Sequence, residues 1–147
     1  YANIDQLSNS IIDIEAIIPG RILCSWSAWS IHQLTTTMPQ VYHIAIKRDR
    51  KVVTPSFPSI ELHHYTASIL EIGVSKMFLE GYNIRIYDIE RCVCDAIKFR
   101  NKIGMDVCSE IIDNYLVRPE RNISKLLDYA KQLRVGTILE DYLQVKL

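Results

Sequence analysis

The stretch VSKMFLEGYNIRIYDIERCVCDAIKFRNKIG, Val74 to Gly104, changes its period half-way along, and that change decides the fold. Up to Tyr87 it alternates: Val74 to Leu79 and Ile84 to Tyr87 read as the two strands of a hairpin, turned by Glu80, Gly81, Tyr82 and Asn83. From Asp88, a good N-cap, the period becomes helical. Ile89, Cys92, Val93, Ala96, Ile97 and Arg100 fall on one stripe of a helix that Gly104 can end.

Downstream the helical period persists. Asp106 is expected to cap a helix that buries Val107, Cys108, Ile111, Ile112, Tyr115 and Leu116, and Arg118-Pro119 stops it. Asn122 caps another, with Ile123, Leu126, Leu127, Ala130 and Leu133 inward, and a short helix from Thr137 to Val145 closes the chain. Upstream the period is two: VYHIAIK (Val41 to Lys47) and IELHHYT (Ile60 to Thr66) read as strands joined by a long Pro-containing loop.

Earlier still, Ile11, Ile14, Ile17 and Ile18 have helical spacing, with Ser8 or Ser10 as N-cap and Pro19-Gly20 as stop. RILCSWSAWSIHQL then reads as a helix buried on most sides through Leu23, Trp26, Ala28, Trp29 and Ile31. The sum is an α+β fold. About four strands form a small, mainly antiparallel sheet in mid-chain, packed with N-terminal helices and a C-terminal run of about four helices. No repeat or Gly/Ser-rich linker divides residues 1–147, so one domain is expected.

Composition limits the functions. With 48% apolar and 23% charged residues, the chain has the make-up of a globular domain. Seventeen basic residues balance seventeen acidic ones, whereas a domain that wraps nucleic acid carries a marked basic excess. No apolar run is long enough to span a membrane. The four cysteines, Cys24, Cys92, Cys94 and Cys108, lack the paired spacing of a zinc site; free thiols in a reducing, cytoplasmic setting are expected.

Candidate chemistry is sparse. Cys92 and Cys94 lie roughly 200° apart on a helix and cannot chelate one ion. His63 and His64 point to opposite faces of a strand, with His32 and His43 in other elements. Ser25, Ser27 and Ser30 fit close helix packing better than nucleophilic catalysis, and neither a serine-hydrolase elbow nor a phosphate-cradling glycine loop is present. Glu61, Asp88, Glu90, Asp95 and Lys98 are the residues a metal-dependent nuclease would use. Arg91 and Asp95 are spaced i,i+4, however, and a solvated helix back pairing its own charges is the simpler reading. Arg100 lies on the apolar stripe and is expected to pair internally with an acid such as Glu110.

Four ordered segments carry a family resemblance. They are Ser27, Ala28, His32, Leu34 and Thr35; the helix from Glu90 and Arg91 to Asp95; the corner Arg100, Asn101, Lys102, Gly104 and Asp106; and the closing Tyr142-Leu143. From about Ile22 to Val145 the chain resembles the C-terminal domain of abortive-infection antitoxins of AbiEi type. It departs from that pattern at Cys92, where Thr is usual, and at Gln144, where Glu is usual.

The resemblance implies a non-enzymatic antitoxin or regulatory domain of a bacterial phage-defence pair, neutralising a nucleotidyltransferase-like toxin. It implies no catalytic residue, metal or cofactor. Operator DNA would be met only through an N-terminal winged helix domain, which is expected to be absent from these residues. The expected partner surface comprises Thr35, Thr36 and Thr37, the basic loop Lys47, Arg48, Arg50 and Lys51, and the corner Asn101-Lys102. His32, Glu90, Arg91, Asp95 and Arg100 are expected to be structural polar residues. The alternatives are the nuclease-like enzyme and a nucleic-acid-binding regulatory module that uses the basic loop.

Overall fold

A computed structural model describes residues 18–56, 58–79 and 82–146, with the side chains at 79 and 82 outside the description. The helix expected before Pro19 and the tip of the hairpin turn therefore lie outside the described residues. Strands β1 (Ile22–Leu23), β2 (Tyr42–Lys47), β3 (Ile60–Tyr65), β4 (Val74–Leu79) and β5 (Tyr82–Tyr87) form a five-stranded sheet in the order β3-β2-β1-β5-β4. Helices α1 (Ser25–Ile31) and α2 (Ala67–Leu70) are interleaved with the strands. Then α3 (Ile89–Lys98), α4 (Arg100–Ile103), α5 (Met105–Leu116), α6 (Ile123–Gln132) and α7 (Gly136–Lys146) follow in sequence.

The fold is mixed α/β, but the sheet is neither four-stranded nor mainly antiparallel. β1 pairs antiparallel with β2 and parallel with β5, while β2 and β3 are parallel and β4 and β5 antiparallel. The missed strand is β1, two residues long. Ile22 and Leu23 are 1% and 0% exposed at the middle of the sheet, and so short a strand carries no period of its own. The helix expected over RILCSWSAWSIHQL is correspondingly shorter, with Cys24 as its N-cap.

Helix α3 is central, packing against α1, α4, α5, α6 and α7. Asp88 caps it as expected, its carboxylate accepting from the Arg91 N–H at 2.8 Å. Phe99 then breaks the predicted continuous helix, and Gly104, at φ 98°, separates α4 from α5. Gly104 is also the N-cap of α5; Asp106 sits in the first turn, where its charge suits the helix dipole, and not at the cap. Asn122 caps α6, accepting from the Lys125 N–H at 3.0 Å. Leu126, Ala130 and Leu133 are buried and Ile123 packs against the core as expected, while Leu127 is 40% exposed.

One close approach fixes how the hairpin meets α3. Gly73 has φ 80°, and a Cβ there would stand 2.6 Å from Arg91 Cβ. Its carbonyl accepts from Asp88 N–H at 2.8 Å, so the start of β4 and the cap of α3 are locked together.

Candidate functional site

Two clusters of ionisable residues stand out. The first is inside. Arg91, Glu90 and Asp95, expected on a solvated helix back, are 0%, 3% and 3% exposed. The i,i+4 pairing is right and its environment is not: Arg91 Nε donates to Asp95 Oδ1 at 3.0 Å in the interior, where the Ile69 and Ile72 carbonyls and the Tyr65 and Tyr87 rings close over the guanidinium. Arg91 Nη1 donates to the carbonyls of Ile69 and Ile72 at 2.7 and 2.8 Å, and Tyr87 Oη to that of Leu70 at 2.7 Å. These bonds satisfy the Leu70 and Ile72 carbonyls at and just after the end of α2, and they add a donor to the Ile69 carbonyl, which also accepts from the Ile72 N–H at 3.3 Å. Arg91 Nη2 has no acceptor among the described residues; the guanidinium lies over the Tyr87 ring, 4.0 Å from its centre.

The neighbouring acids are also committed. Asp88 Oδ2 accepts from Tyr129 Oη and Lys125 Nζ, each at 2.9 Å. Glu90 Oε2 accepts from the Asn122 N–H at 3.1 Å. Burial pulls Arg91 down, but Asp95 and Tyr87 outweigh it and hold the guanidinium above its usual value; burial raises the Asp95 carboxyl against the pull of Arg91. The charges here are spent on structure.

The second cluster lies on the edge strand β3 and its neighbour β2. His43 on β2 faces Glu61 on β3 in register, and Ala45 faces His63, so His43, Glu61 and His63 share one face of the parallel pair. The His43 backbone is pinned on both sides: its N–H donates to Ser27 Oγ at 2.9 Å and its carbonyl accepts from Cys24 N–H at 3.0 Å. His43 Nδ1 stands 3.0 Å from His63 Nε2 and 2.9 Å from Glu61 Oε2, with 3.8 Å between the last two atoms. Among the described residues this is the group of three His, Cys, Asp or Glu side chains whose ligand atoms converge.

A small pocket of about 40 Å³ opens on the cluster, lined also by Ser25, Trp26, Phe99, Lys102 and Ile103. The end of α3 and the α4 corner thus close over the two strands, with the Phe99 ring set edgewise to His63 at 6.4 Å. Burial, reinforced by His63 and Lys102 and opposed by Glu61, pushes His43 down to about 4. Burial lowers His63 in the same direction, against Glu61. Burial thus favours the neutral form of both imidazoles.

The expected partner surface divides. Thr36, Thr37, Lys47, Arg48, Lys51, Asn101 and Lys102 are exposed. Thr35 is buried and donates to Glu110 Oε1 at 2.7 Å, and Arg50 is half-buried, donating to the Pro19 carbonyl at 3.0 Å. That Thr35 bond also corrects the pairing expected for Arg100, which donates instead to the Ile97 carbonyl at 2.8 Å. His32 Nε2 bonds the Tyr87 carbonyl at 2.8 Å, and Arg118 donates to the His32 carbonyl, so the end of α1 is tied to the sheet and to the segment after α5. All four cysteines are buried, and burial raises their thiols, Cys94 to about 12. They are poor nucleophiles and poor metal ligands in this state.

A comparison of the chain with protein-family models returns no match, and a comparison with curated proteins returns none. No helix among the described residues is long and apolar enough to cross a membrane.

Sequence reasoning missed the His43–Glu61–His63 cluster. The spacing Glu61-x-His63 on a strand already places both side chains on one face. What it lacks is the parallel register that brings His43 alongside.

Proposed function

We propose that the chain is a non-enzymatic interaction domain of a bacterial toxin–antitoxin pair, similar to the C-terminal domain of AbiEi-type antitoxins, and that it neutralises a nucleotidyltransferase-like toxin through its surface. The observation that favours a binding role is the fate of the α3 charges. Asp88, Glu90 and Asp95 each answer to a donor inside the fold. Of the five residues a nuclease would use, only Glu61 and the exposed Lys98 stand outside that internal framework.

The partner surface in this reading is the exposed basic loop Lys47, Arg48 and Lys51 together with Thr36, Thr37, Asn101 and Lys102. Co-expression with the toxin encoded next to the gene should restore growth, and Arg48→Glu with Lys51→Glu should weaken that rescue. Unaltered rescue would remove the basic loop from the surface, and no rescue by the unmodified chain would remove the antitoxin reading. Cleavage of labelled RNA or DNA in the presence of a divalent cation would favour the nuclease instead.

A further inference from the structure

We infer that His43 Nδ1, His63 Nε2 and Glu61 Oε2 form a binding site for a divalent first-row transition ion of the zinc class. The three atoms are separated by 2.9, 3.0 and 3.8 Å. Ligands about 2.0–2.1 Å from a tetrahedral zinc ion stand about 3.3–3.4 Å apart, so an ion seated among them requires shifts of only about half an ångström. Two imidazoles and one carboxylate match zinc and its neighbours and not magnesium or calcium, which select all-oxygen shells.

The site is built and not merely adjacent. His43 is 6% exposed, and its backbone is fixed by bonds from its N–H and carbonyl to the segment that begins α1. His63 is held by the register of β3 against β2 and by the Phe99 ring. Glu61 contributes the negative charge that a dication needs, and its half-exposed side chain leaves the fourth position open to water. Lys102 at the pocket rim is exposed and adds one opposing positive charge, which Glu61 offsets. The site is independent of the toxin–antitoxin reading, since it rests on the sheet register and not on the exposed loops.

The test is zinc titration of the purified, metal-stripped chain against a chromophoric chelator, in parallel with Glu61→Gln and His63→Gln. The expected result is one zinc per chain, weakened at least about tenfold by either substitution, with magnesium failing to compete. In the unmodified chain the ring-proton resonances of His43 and His63 should shift with zinc, while those of His32 stay in place. Absence of stoichiometric binding, or binding equally tight in both variants, overturns the site. If one variant melts below the unmodified chain without metal, the other variant and the histidine resonances still decide between these results.

Discussion

Helix α3 and the β2–β3 pair both carry clusters of ionisable residues and put them to opposite uses. Along α3, Arg91 and Asp95 are closed in, and every acid has a donor. At the edge, His43 and His63 converge with a half-exposed Glu61 beside an open pocket. The difference lies in what covers each set. Five helices pack against α3 and the Tyr65 and Tyr87 rings close on Arg91, so its charges find partners within the protein, whereas the half-exposed Glu61 keeps the β2–β3 cluster in contact with solvent. Charge density in a sequence therefore marks neither site nor scaffold; enclosure decides which.

The sharpest way to break this contrast is to remove Arg91. Arg91→Ala leaves Asp95 buried without its partner, takes the donor from the Ile72 carbonyl and one of the donors from that of Ile69, and should cost about 3–5 kcal/mol in urea unfolding. Arg91→Met with Asp95→Leu should recover only part of that loss. Apolar isosteres can replace the ion pair, but the Ile72 carbonyl stays unbonded at about 1–3 kcal/mol. Full recovery would mean that the Ile72 carbonyl finds another donor.

Gly73→Ala tests the join between hairpin and helix. The added methyl meets Arg91 Cβ at 2.6 Å on a backbone with positive φ, and a loss of about 2–4 kcal/mol is expected by thermal melting. A loss below about 0.5 kcal/mol, the range of neutral surface changes, would show that the approach is looser than described.

The contrast also sets how much of the molecule was legible in its residues. β2, β3, the hairpin strands, the Asp88 and Asn122 caps and the C-terminal helices follow from local period and capping chemistry, which nearest neighbours determine. β1 and α2 do not. Two residues of strand and four of helix have no period to detect, and two of the α2 carbonyls, those of Ile69 and Leu70, accept from Arg91 and Tyr87, far along the chain. The burial of Glu90, Arg91 and Asp95 was hidden for the same reason: i,i+4 pairing looks identical in water and in a core. The histidine cluster depended on a parallel register, and alternation specifies the face of a residue without its partner strand.

A smaller effect concerns pH. His32 is largely enclosed, and burial lowers its pKa against the opposing bond to the Tyr87 carbonyl. Below about 6.5 the unfolded chain binds the proton and the folded chain does not, so stability falls as pH drops through that window. His43 and His63 act with the same sign. His32→Gln, which keeps an N–H for Tyr87, should therefore reduce but not abolish the decline in urea midpoint between pH 7.5 and 5.5. An unchanged slope would show that His32 takes up its proton without unfolding.

The smallest expected change without metal is Glu61→Gln, within about 0.5 kcal/mol of the unmodified chain because its side chain is half exposed. Thermal melting of Arg91→Ala and Glu61→Gln, each with and without zinc, tests the contrast most directly. Arg91→Ala should melt well below the unmodified chain and still gain stability from zinc; Glu61→Gln should melt with the unmodified chain and lose most of the zinc-dependent gain. If Glu61→Gln in the absence of metal falls as far as Arg91→Ala, the edge cluster is part of the scaffold and the distinction between spent and available charge fails.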